Sequence, residues 1–186
     1  MGLIFNIYKM KEYIIRYESG WSSHYGICEC QGTGTVSLSD EQVEIIRGLA
    51  LEKDTQDVRQ TGLQESHPEI YAILDEAYRD LALKTESEYW MWEGYRNGNY
   101  TCDFYELMEY CKEVLGFRFN AIDMNITDED EAEEAEVEAF QDWLDDYVGG
   151  LETEECRRFF SEQMGIDVDC SLNEIEYEIL VPEEIL

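Results

Sequence analysis

The chain has 186 residues, enough for one domain or two small ones with a real core, and its 44% hydrophobic and 13% aromatic content excludes a disordered acidic tail. Forty-four acidic residues against 13 basic ones give a formal net charge of −31, which excludes direct binding to nucleic acid or anionic membranes and favours basic proteins or cations as partners. The charge is uneven: residues 1–51 carry six acids and four bases, 52–121 fifteen and seven, and 122–186 twenty-three and two. Adaptation to high salt would spread the acids over the whole surface, and the nearly neutral first 51 residues speak against it.

Lys11 to Glu18 is rich in β-branched and aromatic residues and reads as a strand ending at Ser19-Gly20. A second strand is expected over Ser23 to Cys30, a turn or bulge at Gln31-Gly32-Thr33-Gly34, and renewed extension through Thr35 to Leu38, giving a hairpin or three-stranded meander. Ser39-Asp40-Glu41-Gln42 has the spacing of a capping box, and the helix it opens runs to about Lys53 with Val43, Ile46 and Leu49 inward. Ser66-His67-Pro68-Glu69 repeats the start signal, and Ile70, Ile73, Leu74, Ala77 and Leu81 carry a helix to about Lys84.

Glu88 to Tyr100 is the aromatic centre of the chain and carries a turn signal at Asn97-Gly98; on a strand, Trp90 and Trp92 would share one face. Asp103 and Glu106 open a third helix with Leu107, Met108 and Cys111 inward and Gly116 as its stop, and Phe117 to Ala121 alternates as a strand. After the acidic run 127–148, Thr153 opens a last helix stopped by Gly165, Ile166 to Val168 is a short strand, and Glu174 to Val181 alternates as a final one. The order helix, glycine, strand occurs at Cys111 to Ala121 and at Cys156 to Val168, with spacing too different to assign a repeat. The expected fold is α+β: a small antiparallel sheet, built from an N-terminal meander plus later strands, packed with four to five helices. One domain over 1–186 is expected, with a sub-boundary near 122–127, where charge density jumps, setting off a strongly acidic C-terminal subdomain.

The run Thr127 to Val148 carries the most specific functional signal. Val137, Phe140, Leu144 and Tyr147 fall on one helical stripe and can dock on a core, leaving the acids on the remaining surface. Eleven carboxylates from Asp128 to Asp146 give one charge per roughly 2.6 Å of axis, against about 1.7 Å for duplex DNA. Asp128, Glu129, Glu131, Glu134, Glu138, Asp142 and Asp145 are therefore the candidate partner-binding residues. Their unspecific reading is a solvated helix face.

Other chemistries find less support. Asp123-x-Asn125-x-Thr127-x-Glu129 with Glu134 has the polar spacing of a calcium loop, and so have Asp167, Asp169, Ser171, Asn173 and Glu178, but Asp128 and Leu172 stand where the turn glycine belongs. His24, Cys28 and Cys30 offer soft ligands on one strand face without the second ligand pair that zinc requires. With only His24 and His67 and no nucleophile-elbow, phosphate-loop or zinc-protease pattern, no catalytic site and no cofactor are expected. Six cysteines, without a secretion signal at Leu3-Ile4-Phe5, read as reduced thiols of a cytoplasmic protein. Met1-Gly2 lacks the Ser or Thr of a myristoylation start, Met10 is an alternative initiator, and no apolar run has the length of a membrane span.

This profile resembles, in composition, the DNA-mimic inhibitors of phages and mobile elements, such as antirestriction and anti-CRISPR proteins, and no motif extends the likeness to individual residues. The resemblance implies a non-enzymatic protein that offers a phosphate-like face to a basic, nucleic-acid-binding partner. Two alternatives stand beside it: a structural or adaptor module that pairs with a partner or with itself through the aromatic stretch 89–105, and a divalent-cation-binding protein.

Overall fold

The computed structural model describes the chain apart from residues 1–8, 24–25, 122–123, 125 and 169–174, and apart from the side chains at 21–23 and 26–28. The chain divides into two compact units, Met1–Tyr89 with Cys170–Leu186, and Trp90–Asp169. The charge-density step at 122–127 lies inside the second unit.

In the first unit, β1 (Met10–Ser23) and β2 (Gly26–Ser39) pair antiparallel in one unbroken register from Met10↔Ser39 to Ser23↔Gly26. The expected turns at Ser19-Gly20 and Gln31-Gly32-Thr33-Gly34 are therefore strand, and the meander is a single long hairpin. The glycines serve packing: a Cβ at Gly32 would lie 2.0 Å from Thr85 Oγ1, and one at Gly34 would lie 3.3 Å from Leu81 Cδ1. Strand glycine marks either a bend or the close approach of another element; here it is the approach. Side chains alternate, with Ile15, Tyr17, Cys30, Val36 and Leu38 buried and Glu12, Arg16, Glu18, Thr33 and Thr35 exposed.

Helix α1 (Asp40–Lys53) opens on the expected capping box: the Gln42 N–H donates to Ser39 Oγ at 3.2 Å, and the Ser39 N–H donates to Gln42 Oε1 at 2.8 Å. Val43, Ile46 and Ala50 are its buried residues. A 3-10 turn (Val58–Gln60) and the short α2 (Leu63–Ser66) lead to α3, which starts at Pro68, as the Pro at the first helical position dictates. Helix α3 (Pro68–Arg96) runs well beyond Lys84, so the aromatic centre is helical up to its turn at Asn97-Gly98. No Pro interrupts it, and Gly98, with φ 67°, is the residue that leaves the helical path.

The sheet gains no later strand among the described residues. Residues 175–181 keep the expected alternation, with Ile179 and Val181 buried and Glu176 and Glu178 exposed, but they bond to 56–58 instead of the hairpin: Val58 N–H to the Ile179 carbonyl and Val181 N–H to the Gln56 carbonyl, both at 2.8 Å. Residues 117–120 and 166–168 likewise alternate in burial without a strand partner. The α+β arrangement thus rests on one two-stranded sheet and its helices.

The second unit contains α4 (Phe104–Tyr110), α5 (Glu129–Gly149) and α6 (Thr153–Phe159). Its core holds Met91, Leu107, Phe117, Phe140, Leu144, Phe159, Phe160 and Met164. Helices α4 and α6 are the same length, seven residues, and each continues into a five-residue π-helical turn, Cys111–Leu115 and Phe160–Met164. Each turn ends at a left-handed glycine, Gly116 (φ 89°) or Gly165 (φ 66°), followed by a buried apolar residue, Phe117 or Ile166. The closing bonds match as well, Phe117 N–H to the Cys111 carbonyl at 3.1 Å and Ile166 N–H to the Phe160 carbonyl at 3.0 Å. Aligned on these glycines, the helix–glycine–extension order is a repeat; aligned on Cys111 and Cys156 it is not, because Cys156 occupies the position of Leu107.

Candidate functional site

Helix α5 begins where its chemistry requires. Asp128 is the N-cap, its Oδ1 accepting from the Asp130 N–H at 3.1 Å and the Glu131 N–H at 3.2 Å, and Glu129, Asp130 and Glu131 place negative charge at the positive end of the helix dipole. Phe140, Leu144 and Val148, at i, i+4 and i+8, form the buried stripe, with Trp143 and Tyr147 partly buried beside it. Phe140 lies between Phe104 (5.3 Å) and Phe117 (5.2 Å), which fixes how the helix is rotated about its axis.

That rotation sorts the carboxylates. Glu131, Glu134, Glu138, Asp142 and Asp145 are all exposed, and at 100° per residue they occupy an arc of about 80° centred about 120° away from the buried stripe. From Glu131 to Asp145 the arc extends about 21 Å along the axis, one carboxylate per roughly 5 Å, against 3.4 Å per phosphate along one DNA strand. Asp128 and Glu129 do not join it: Asp128 is occupied as the cap, and Glu129 projects from the opposite side of the first turn.

The acids on the core-facing side have internal partners. Tyr105 donates to Glu133 Oε1 at 3.1 Å, and Lys112 Nζ lies 3.0 Å from Glu136 and 2.7 Å from Glu109, whose hydrogen bond leads in raising the ammonium above its usual pKa. On the arc, Asp145 Oδ1 accepts a hydrogen bond from the Tyr95 hydroxyl. Among the described residues, Glu136 is the one carboxylate of α5 in an ion pair. The unit as a whole carries 23 acids and five bases, a net charge of −18.

Beside the arc's C-terminal end lies a cleft of about 320 Å³ whose walls include Tyr95, Tyr100, Phe104, Gln141, Leu144 and Asp145. Tyr95 is stacked on Phe160 with ring centroids 4.9 Å apart and meets Trp92 edge-on at 6.1 Å, which aims its hydroxyl at Asp145. Burial, with Asp145 adding to it, pushes the Tyr95 pKa up, so the phenol stays protonated and keeps donating. The aromatic stretch is thus mostly packed into the second core, and Trp90, 44% exposed, and Tyr105, 52% exposed, are its large solvent-facing rings. Periodicity locates the arc but not the cleft, because Tyr95 and Asp145 come from different helices, 50 residues apart.

The other candidate sites fare differently. Asp123 and Asn125 of the first calcium-like loop and Asp169, Ser171 and Asn173 of the second lie outside the described residues, as does His24 of the soft-ligand set. Glu129 and Glu134 of the first loop lie in the first two turns of α5. Among the described residues, no group of three or more His, Cys, Asp or Glu converges on a point where a metal ion would sit. Cys30, Cys111 and Cys156 are buried, and burial pushes the Cys111 thiol up to about 11, away from thiolate reactivity. No helix among the described residues is long and apolar enough to cross a membrane. Comparison with protein-family models, curated proteins and solved structures gives no match to this chain.

Proposed function

We propose that the protein is a non-enzymatic binding protein of the cytoplasm whose α5 carboxylates stand in for nucleic-acid phosphates in the groove of a basic, nucleic-acid-binding protein, which it inhibits as a DNA mimic. The observation that carries this reading is the arc Glu131, Glu134, Glu138, Asp142 and Asp145, exposed on one side of a helix held rigidly by its aromatic stripe and unpaired with any base among the described residues. Lysines and arginines spaced to hold successive phosphates meet carboxylates at comparable spacing, and the helix is ordered before the partner arrives, which lowers the entropy cost of binding. Attraction of this kind weakens steeply with salt.

The test is an affinity capture from nuclease-treated host lysate at 0.1 M and 0.5 M salt. The protein is compared with a variant carrying Glu131→Gln, Glu134→Gln, Glu138→Gln and Asp142→Asn. A nucleic-acid-binding protein held by the unaltered chain at low salt, released at high salt and missed by the variant supports the reading. A partner held equally by both chains at both salts refutes it and directs attention to Trp90 and Tyr105.

A further inference from the structure

We propose that the cleft beside Tyr95 and Asp145 is an anchor pocket for a single arginine side chain of the basic partner. The inference rests on the acidic-face reading and deepens it, since Asp145 is both the last carboxylate of the arc and a wall of the cleft.

The cleft's chemistry selects the guest. At about 320 Å³, it stands at the small end of ligand sites, suited to one side chain. Leu107, Leu144 and Met164 supply an apolar lining for a methylene stem, and Tyr95, Tyr100 and Phe104 supply aromatic surface for a flat cation. Two ionised groups line it, Arg96 and Asp145. Arg96 is already neutralised by Glu93, at 3.1 Å, whereas Asp145 has no basic partner among the described residues. The uncompensated charge of the cleft is therefore negative.

Tyr95 donates to Asp145 Oδ1, and among the described residues Oδ2 accepts no further hydrogen bond. A guanidinium can fork onto that carboxylate while lying against a ring, which an ammonium cannot do. The Gln141 amide oxygen offers a further acceptor at the same wall. The stacking of Tyr95 on Phe160 holds the acceptor in place before the guest arrives.

The test is a titration of the full chain, carrying isotope-labelled methionine methyl groups, with N-acetyl-arginine amide at 0.5 M salt, where the exposed arc is largely screened. The expected result is a saturable shift of the Met164 methyl, weakened at least fivefold by Asp145→Asn and abolished by Gln141→Trp, which fills the cleft from an exposed position. N-acetyl-lysine amide is expected to bind at least fivefold more weakly. Absence of a saturable shift, binding within twofold in both variants, or equal binding of the lysine compound overturns the assignment. The four-amide variant of the arc keeps every wall of the cleft, so the two readings fail separately: loss of partner capture by that variant with no saturable arginine titration of the parent overturns the pocket alone, whereas undiminished capture by the variant with an intact titration overturns the acidic-face reading.

Discussion

Replacing Gly32 by Ala tests the packing of the first unit at its tightest point. Gly32 lies in β2 and is absent from the positive-φ glycines, so the backbone accepts alanine and any cost comes from collision. The new Cβ would sit 2.0 Å from Thr85 Oγ1 and 3.1 Å from Thr85 Cβ, and Thr85 is buried with its hydroxyl donating to the Leu81 carbonyl at 2.8 Å. To make room, Thr85 must leave its rotamer and give up that bond, or the strand must lift from the helix. Overpacking of this kind costs about 1–3 kcal/mol and the lost bond about 1 kcal/mol, so a destabilisation of about 3 kcal/mol is expected. In urea unfolding followed by circular dichroism, that lowers the midpoint by about 1–2 M for a slope of about 2 kcal/mol per M. Thr85→Ala removes the colliding oxygen, and the double variant should recover about 1–2 kcal/mol relative to the sum of the single changes. A Gly32→Ala variant within 0.5 kcal/mol of the parent, or a strictly additive double-variant cycle, would refute the close approach of Thr85 and with it the reading of Gly32 as a packing glycine.

Further outcomes follow from the same geometry. Gly116→Ala places a Cβ in open space at φ 89° and should cost about 1 kcal/mol, whereas Gly165→Ala at φ 66° also drives its Cβ to 2.1 Å from Thr101 Oγ1 and should cost at least about twice as much in the same urea assay. Asp128→Ala removes the N-cap of α5 and should cost about 1 kcal/mol, with the earliest loss of hydrogen-exchange protection in the first turn of that helix. Burial pushes the Tyr78 phenol up to about 12 from its ordinary 10, its hydroxyl donating to the Leu180 carbonyl at 3.0 Å. The neutral folded form then contributes stability that is complete below pH 10 and is lost as pH rises toward 12. Stability measured at pH 9 and pH 11 should fall by up to about 1.4 kcal/mol more in the parent than in Tyr78→Phe.

Legibility followed the range of the interactions. The capping box at Ser39, the stop glycines 116 and 165 and the alternation of 175–181 are local, and each stands in the structure as the residues announce it. What failed was the choice between equivalent local meanings. Gly32 and Gly34 look like turn residues, and only the presence of Thr85 and Leu81 against β2 makes them packing glycines. Trp90 and Trp92 suit a strand by propensity, yet they continue a helix whose stop signal, Asn97-Gly98, resembles a hairpin turn. The final alternating segment pairs with 56–58, and alternation alone does not name a partner. The candidate surface divides in the same way. Five carboxylates of one helix share an arc by arithmetic alone, whereas the cleft depends on Tyr95, Phe104 and Asp145 being brought together by the fold.

Competition measures the central claim most directly. With the captured partner bound to a fluorescent DNA duplex, anisotropy is followed as this protein is added at 0.1 M salt. Mimicry predicts complete displacement of the duplex by the parent chain, at least tenfold weaker displacement by the variant with Glu131, Glu134, Glu138 and Asp142 converted to amides, and a linear fall in log affinity with log salt. A ternary complex of partner, DNA and this protein, or equal displacement by the two chains, would contradict the account.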